Sequence, residues 1–233
     1  MLATAVLVAR LAPARGVEPL HAAAFVALNP LVLVHVVGGP HNDAFAVLLA
    51  TLGVAAILAA RPASAGIALA AAIAVKLSTA IVLPFALISR PVGRVLGGVA
   101  LAVVGVGWAA WLAFGWDWLD AFALAGENQG RTSHMSVPIA AARLTGIDPD
   151  AARVAALVLY AALVGHLLAW THRGGDWLRA AAWATAGLLL ATAWLLPWYL
   201  IWPLPLAALS RDRPLQALLL LLTAYQLGAR IPL

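Results

Sequence analysis

Long apolar segments alternate with short polar breaks along the whole chain. Apolar runs of this kind predict membrane helices, and about 20 helical residues are needed to cross a bilayer. We therefore predict an all-α fold, a polytopic transmembrane bundle of about 8 to 10 membrane segments that includes short re-entrant pairs. The apolar segments are 1–12, 20–37, 44–60, 63–89, 95–114, 154–171, 180–196, 198–209 and 214–230.

The composition favours the same class of protein. Hydrophobic residues make up 64% of the chain and charged residues 10%, whereas a soluble domain has roughly 25% charged residues. A soluble chain this apolar would expose patches that aggregate. We therefore treat residues 1–233 as a single transmembrane domain, the C-terminal part of a larger module, in contact with the lipid bilayer. The basic residues are dispersed, which argues against a nucleic-acid partner.

Basic residues mark one side of the predicted membrane, because loops rich in Arg and Lys stay cytoplasmic. The breaks that carry them are 13–19, 61–62, 90–94, 172–179 and 210–213. With these breaks inside, the break at 38–43 and the polar region 115–153 face outward, and we predict that 115–153 is an extracytoplasmic loop. Within it, "VPIAAARLTGI" predicts a short helix, and Asp148 is expected to cap the next one. The Ala-, Gly- and Arg-rich composition suggests a GC-rich bacterial genome, and we therefore expect a location in the bacterial plasma membrane.

Segment 63–89 would be about 40 Å long as one helix, which is long for a hydrocarbon core of roughly 30 Å. We predict two short helices that meet near Lys76 at the outer face. This arrangement also keeps the basic breaks on one side. The alternative is a single tilted helix with Lys76 deep in the membrane. The same reasoning predicts an outer turn at Pro197-Trp198-Tyr199, followed by a short helix.

This topology brings polar groups together on the outer side. The groups are His41-Asn42-Asp43, Lys76, the stretch from Glu127 to His134, and Trp198-Tyr199. An ionisable residue at membrane depth is costly and is a functional hypothesis by default. Lys and Arg bind phosphate, and amides and hydroxyls bond to sugar hydroxyls. The combination predicts a lipid-linked sugar phosphate as the ligand.

Three of these groups also have a purely structural interpretation. "GGPHND" could be only a helix break in which Asn42 or Asp43 caps the next helix. Lys76 could be a lysine that reaches to the interface, and the stretch before His134 could be a solvated loop. No metal-hydrolase, P-loop or G-x-G-x-x-G pattern is present, so metal and nucleotide binding have no support. We expect no cofactor and no metal.

Three stretches carry a family resemblance. They are "LNPLVLVHVVGGPHNDAFAVLLA", "AAAIAVKLSTAIVLPFAL" and "LLPWYLIWPLPLAAL". In this order and spacing, the chain resembles the GT-C-fold glycosyltransferases, and most of all the actinobacterial polyprenol-phosphate-mannose-dependent α-1,6-mannosyltransferases. The resemblance implies inverting, metal-independent transfer of a hexose, expected to be mannose, from a polyprenyl-phosphate sugar donor. The acceptor would be a cell-envelope glycan or glycolipid on the outer face.

The resemblance and the residue chemistry together predict three sets of site residues. We expect Asp43 and His41 as catalytic residues. The donor phosphate is expected at Lys76, Arg131 and His134. The sugar or acceptor is expected at Asn42, Asn128, Gln129, Trp198 and Tyr199.

Two features leave other interpretations open. The family places its catalytic carboxylate in a first outer loop, which this chain lacks, and segment 1–12 is too short to cross a bilayer. We therefore expect an N-terminally truncated chain, in which a missing loop would be a better source of the base than Asp43. A membrane transporter or flippase of lipid-linked sugars, or an inactive remnant, are the alternatives.

Overall fold

The computed structural model describes residues 1–37, 39, 41–127 and 130–228. Within them the chain forms α-helices joined by short 3-10 and π-helical turns, and no strand is present among these residues. The all-α prediction is confirmed. The α-helices are α1 Leu2–Leu11, α2 Pro19–Ala27, α3 Asp43–Leu58, α4 Pro62–Val75, α5 Leu83–Ser89, α6 Val92–Phe114, α7 Asp120–Glu127, α8 Val137–Thr145, α9 Pro149–His172, α10 Trp177–Ala191, α11 Leu204–Leu209 and α12 Arg213–Gly228.

Two helices in the described part of the chain are long and apolar enough to cross a membrane. They are α6, with 23 residues, and α9, with 24. Their outward faces are apolar and exposed, as the side chains of Leu101, Val104 and Leu159 show. Helices α3, α4 and α10 have 16, 14 and 15 residues, which corresponds to roughly 21–24 Å of helix. Helices α6 and α9 are therefore candidate membrane spans, and the bundle of 8 to 10 membrane segments stays a prediction.

The predicted hairpin around Lys76 is present. Helix α4 ends at Val75, and Lys76 has an extended backbone with φ −152° and ψ 111°. A 3-10 turn, Leu77–Val82, and α5 follow. The Arg90 guanidinium then donates to the backbone carbonyl of Ile57 at 2.7 Å. Since Ile57 lies next to the turn where α4 begins, the chain has returned to that end, and a single tilted helix is excluded.

The predicted turn near Tyr199 is also confirmed. Helix α10 ends at Ala191, a 3-10 turn spans Pro197–Ile201, and the short helix α11 follows. In the region 115–153, α8 forms where "VPIAAARLTGI" predicted a short helix. The carboxylate of Asp148 accepts the backbone N–H groups of Asp150 and Ala151, so it caps α9 as expected.

Two local predictions were wrong. Segment 20–37 is not continuous, because Pro30 has no N–H for a helical bond and the side chain of Asn29 accepts the N–H of Leu31 at 3.0 Å. The chain resumes as a π-helix at Val32–Val36. Neither Asn42 nor Asp43 caps α3 in the predicted way. Asn42 makes no side-chain cap bond, and instead donates to the carbonyl of Val75 at 3.4 Å.

Close backbone contact holds α4 against α6. A Cβ atom added to Gly66 would lie 2.1 Å from the carbonyl oxygen of Val95, and one added to Gly98 would lie 2.0 Å from that of Ala63. Only glycine allows helices to approach this closely. Helices α3, α4 and α6 therefore form one packed layer, and the core lies where α10 and α11 are buried against α2 and α5.

Basic residues gather at one end of the molecule. Arg15 pairs with Asp176, which caps the start of α10, and Arg179 pairs with Asp212 at 2.5 Å. Helix α10 runs from this end towards the turn that holds Tyr199. The α3–α4 hairpin likewise runs from the turn at Arg61 to its open end at Asp43 and Lys76. The polar residues of the predicted site thus lie away from the basic end.

Candidate active site at the open end of the hairpin

An ion pair joins the two helix ends of the α3–α4 hairpin. Helix α3 begins at Asp43, and α4 ends one residue before Lys76, so an antiparallel hairpin brings the two residues side by side. The Nζ atom of Lys76 lies 3.2 Å from Oδ1 of Asp43. The side chain of Asp43 is 2% exposed and that of Lys76 is 25% exposed. The carboxylate is therefore enclosed, while the ammonium still reaches the surface.

A tryptophan completes the surroundings of the buried carboxylate. The indole N–H of Trp202 donates to the same Oδ1 atom of Asp43 at 2.7 Å. A buried charge is tolerated when it is paired and hydrogen-bonded, and Asp43 has both kinds of partner. Trp202 comes directly after the Pro197–Ile201 turn, so this turn and the hairpin are fixed to each other at Asp43.

Two aromatic rings lie beside the ammonium of Lys76. Tyr199 and Trp202 stack with ring centroids 4.3 Å apart and an interplanar angle of 25°. The Nζ atom lies 4.7 Å from the Tyr199 centroid and 5.6 Å from that of Trp202. Such cation–π contacts add to the ion pair. They restrict where the single lysine of this chain can place its charge.

His41 joins the cluster through the neighbouring tryptophan. Its ring stacks on Trp198 with centroids 4.0 Å apart and an angle of 16°. The Trp198 ring is nearly perpendicular to Tyr199 at 6.3 Å. His35, which precedes the helix break, lies 6.4 Å from Trp198. His35 and His41 therefore both lie against the 3-10 turn, through Trp198.

The loop before α8 contacts the segment that precedes the Pro197–Ile201 turn. The guanidinium of Arg131 lies over Trp194, 5.2 Å from the ring centroid. The backbone N–H of Ser133 donates to the carbonyl of Ala193 at 2.8 Å. Trp194 meets Tyr199 edge to face at 6.4 Å. Arg131 is thus connected with Lys76 through two rings and does not pair with the same carboxylate.

The structure brings together most of the predicted site residues. Those in the connected cluster are Asp43, His41, Lys76, Trp198, Tyr199 and, at its edge, Arg131 and Asn42. His134 is exposed, and none of the cluster contacts given above involves it. Asn128 and Gln129 lie outside the described residues.

Sequence reasoning missed two members of the cluster, Trp194 and Trp202. Trp202 follows Tyr199 by three residues, and in a 3-10 turn such positions lie above one another. That spacing was a usable signal once the turn was predicted. Trp194 had no comparable signal, because its contact with Arg131 depends on how the distant loop packs.

Comparison with known proteins points to one family. Residues 1–91 match the family model described as "Alpha-(1->6)-mannopyranosyltransferase, N-terminal domain". The chain is 32% identical over 211 residues to alpha-(1->6)-mannopyranosyltransferase A of Mycobacterium tuberculosis. That alignment covers 78% of this chain and 40% of the relative, so the chain spans less than half the length of the protein it matches. No solved structure matches the chain significantly.

Proposed function

We propose that this chain, a relative of the actinobacterial alpha-(1->6)-mannopyranosyltransferases, is the donor-binding part of an inverting membrane mannosyltransferase. The donor would be polyprenyl-phosphate mannose, and the acceptor a cell-envelope glycan or glycolipid at the extracytoplasmic face. The main support is the ion pair between the buried Asp43 and the partly exposed Lys76, beside the Tyr199 and Trp202 rings. Both charged residues fall within the part of the chain that matches the family model.

Lys76 is the proposed anchor for the donor phosphate. An ammonium has three N–H donors, and the structure gives it one carboxylate partner at 3.2 Å. Its side chain is enclosed by rings on one side and partly exposed on the other. A phosphate that approaches the exposed side would accept the remaining donors. Arg131, at the edge of the cluster, would add positive charge where the loop meets Trp194.

Aromatic rings give the proposed site an amphipathic lining. The stacked His41–Trp198 pair and the ring of Trp194 are partly exposed. Rings of this kind offer an apolar face with a polar edge. They suit a sugar ring, which has C–H faces and hydroxyl edges. Asn42, exposed beside the break, would supply an amide to a sugar hydroxyl.

The proposed reaction is a single displacement at the anomeric carbon. The acceptor hydroxyl oxygen forms the new bond, the bond from the anomeric carbon to the phosphate oxygen breaks, and a base takes the hydroxyl proton. Charge grows on the leaving phosphate, and a fixed cation at that position stabilises it in the transition state. Lys76 would fill this role. His41 stays a predicted catalytic residue, and the role of Asp43 is taken up below.

Mannosyl transfer in membranes that contain the chain would test this proposal. Labelled polyprenyl-phosphate mannose and GDP-mannose are supplied separately, each with a mannan acceptor. We expect transfer from the polyprenyl donor only. Lys76→Ala should lower the rate about 100-fold, the scale of one lost electrostatic contact to a developing charge. Arg94→Ala, on an exposed position of α6, is the control. Equal rates for wild type and Lys76→Ala would exclude the anchor role.

A further inference from the structure

We infer that Asp43 is a positioning residue that holds Lys76 and Trp202, and that it does not take the proton of the acceptor. This inference rests on the proposed transferase function. It assigns to the buried carboxylate a role that residue type alone leaves open, because an aspartate near a transferred sugar is equally suited to act as a base.

The first argument is access. A general base must come within about 2.6–3.2 Å of the hydroxyl whose proton it takes. The side chain of Asp43 is only 2% exposed, and the ion-paired ammonium of Lys76 is the more exposed partner. An acceptor sugar would therefore meet Lys76 before it reached the carboxylate.

The second argument is occupancy. Oδ1 of Asp43 already accepts from two donors, Nζ of Lys76 at 3.2 Å and the indole N–H of Trp202 at 2.7 Å. Hydrogen bonds to the charged form of a carboxylate stabilise that form. Oδ1 is therefore already engaged by the two groups that it holds in place.

The third argument is that the side chain of Lys76 needs a partner to fix its direction. Lys76 lies at a break between two helical elements, where its backbone is extended. The backbone there is tied by Thr79, whose hydroxyl donates to the carbonyl of Lys76 at 2.9 Å. The long side chain has no such local bond to the residues that the structure describes, so its direction depends on Asp43 and the two rings. A cation that is fixed in advance stabilises a developing charge without reorganising.

Positioning and base catalysis predict opposite results for Asp43→Asn. If Asp43 positions Lys76, the donor KM should rise about tenfold, the scale of one charge-assisted hydrogen bond, while kcat falls less. If Asp43 is the base, kcat should fall by roughly 10²- to 10⁴-fold with little change in donor KM. The substrates are polyprenyl-phosphate mannose and a mannan acceptor.

A second readout does not depend on activity. Lys76 is the only lysine of the chain, so an amine-reactive ester modifies it and the N-terminus alone, and mass spectrometry separates the two. The ester reaches the nitrogen of Lys76 only when the bond between this nitrogen and the carboxylate opens. We expect Lys76 in Asp43→Asn to be labelled about tenfold faster. An unchanged labelling rate, together with an unchanged donor KM, would overturn the inference.

Two further variants distinguish the loss of this contact from unfolding and from a general effect of removing a negative charge. Trp202→Phe removes the indole N–H but keeps a ring beside Tyr199, and should raise donor KM and the labelling rate in the same direction by a smaller factor. Asp150→Asn, a largely exposed position of α9, should change neither. If the wild type transfers no mannose, the proposed function fails, and the labelling rates still decide whether Asp43 holds Lys76.

Discussion

At the basic end of the molecule, the carboxylate of Asp212 accepts hydrogen bonds from three donors. Burial would raise the pKa of its carboxyl, but bonds from the backbone of Leu215 and from the side chains of Trp183 and Arg179 outweigh burial and lower the pKa. The Trp183 indole N–H lies 2.7 Å from Oδ2. Three donors thus converge on one buried anion between α11 and α12.

The lowered pKa gives a stability prediction with a defined sign. A carboxyl whose pKa is lower in the folded state stabilises the fold above its unfolded pKa, ordinarily 3.8, and this contribution disappears as the pH falls through the folded pKa. We expect Asp212→Asn to cost about 1–3 kcal/mol at neutral pH. Thermal unfolding of the wild type and of Asp212→Asn measures this cost. The difference between their free energies of unfolding should narrow below pH 3.8. A difference that is independent of pH would contradict this interpretation.

At the scale of the helices, the contact between α4 and α6 offers a matched pair of substitutions. The methyl group of Gly98→Ala would lie 2.0 Å from the carbonyl oxygen of Ala63, whereas a Cβ at Gly97 meets nothing within 4 Å. Overpacking costs typically about 1–3 kcal/mol. Alanine at an open helical position gains up to about 1 kcal/mol over glycine.

Thermal unfolding in detergent measures this pair. Gly98→Ala should unfold at a lower temperature than the wild type, and Gly97→Ala at the same temperature or a higher one. Equal changes in unfolding temperature for the two variants would mean that α4 and α6 do not approach each other closely at Gly98.

Helix breaks were predictable from the sequence where a polar or proline signal coincided with a length conflict. Segment 63–89 was too long for one membrane crossing, and the structure breaks it at Lys76. The break at Asn29-Pro30 was missed because the residues next to it on both sides are apolar. A hydropathy pattern does not show the bond between the Asn29 side chain and the backbone N–H of Leu31. Apolar patterning gives the number of segments better than it gives their internal breaks.

For the whole molecule, charge asymmetry predicted which residues would lie away from the basic end. Asp43, Lys76 and Tyr199 come from three separate parts of the chain and meet in one cluster. The ion pair itself was not predicted, nor were the roles of Trp194 and Trp202. Those contacts depend on the register between the hairpin and the 3-10 turn, which hydropathy does not determine. The helices α6 and α9 support membrane insertion, and their exposed faces fit contact with lipid.

The measurement to make first is protection of Lys76 from amine labelling by a polyprenyl phosphate. The protein is placed in lipid nanodiscs and labelled with no addition, with polyprenyl phosphate, with polyprenyl alcohol or with inorganic phosphate. The N-terminal amine serves as the internal reference. We predict that polyprenyl phosphate slows labelling of Lys76 several-fold, by about the effect of one charge-assisted bond, while the alcohol has little effect. Equal labelling with and without polyprenyl phosphate at saturating concentration would contradict a donor-phosphate site at Lys76.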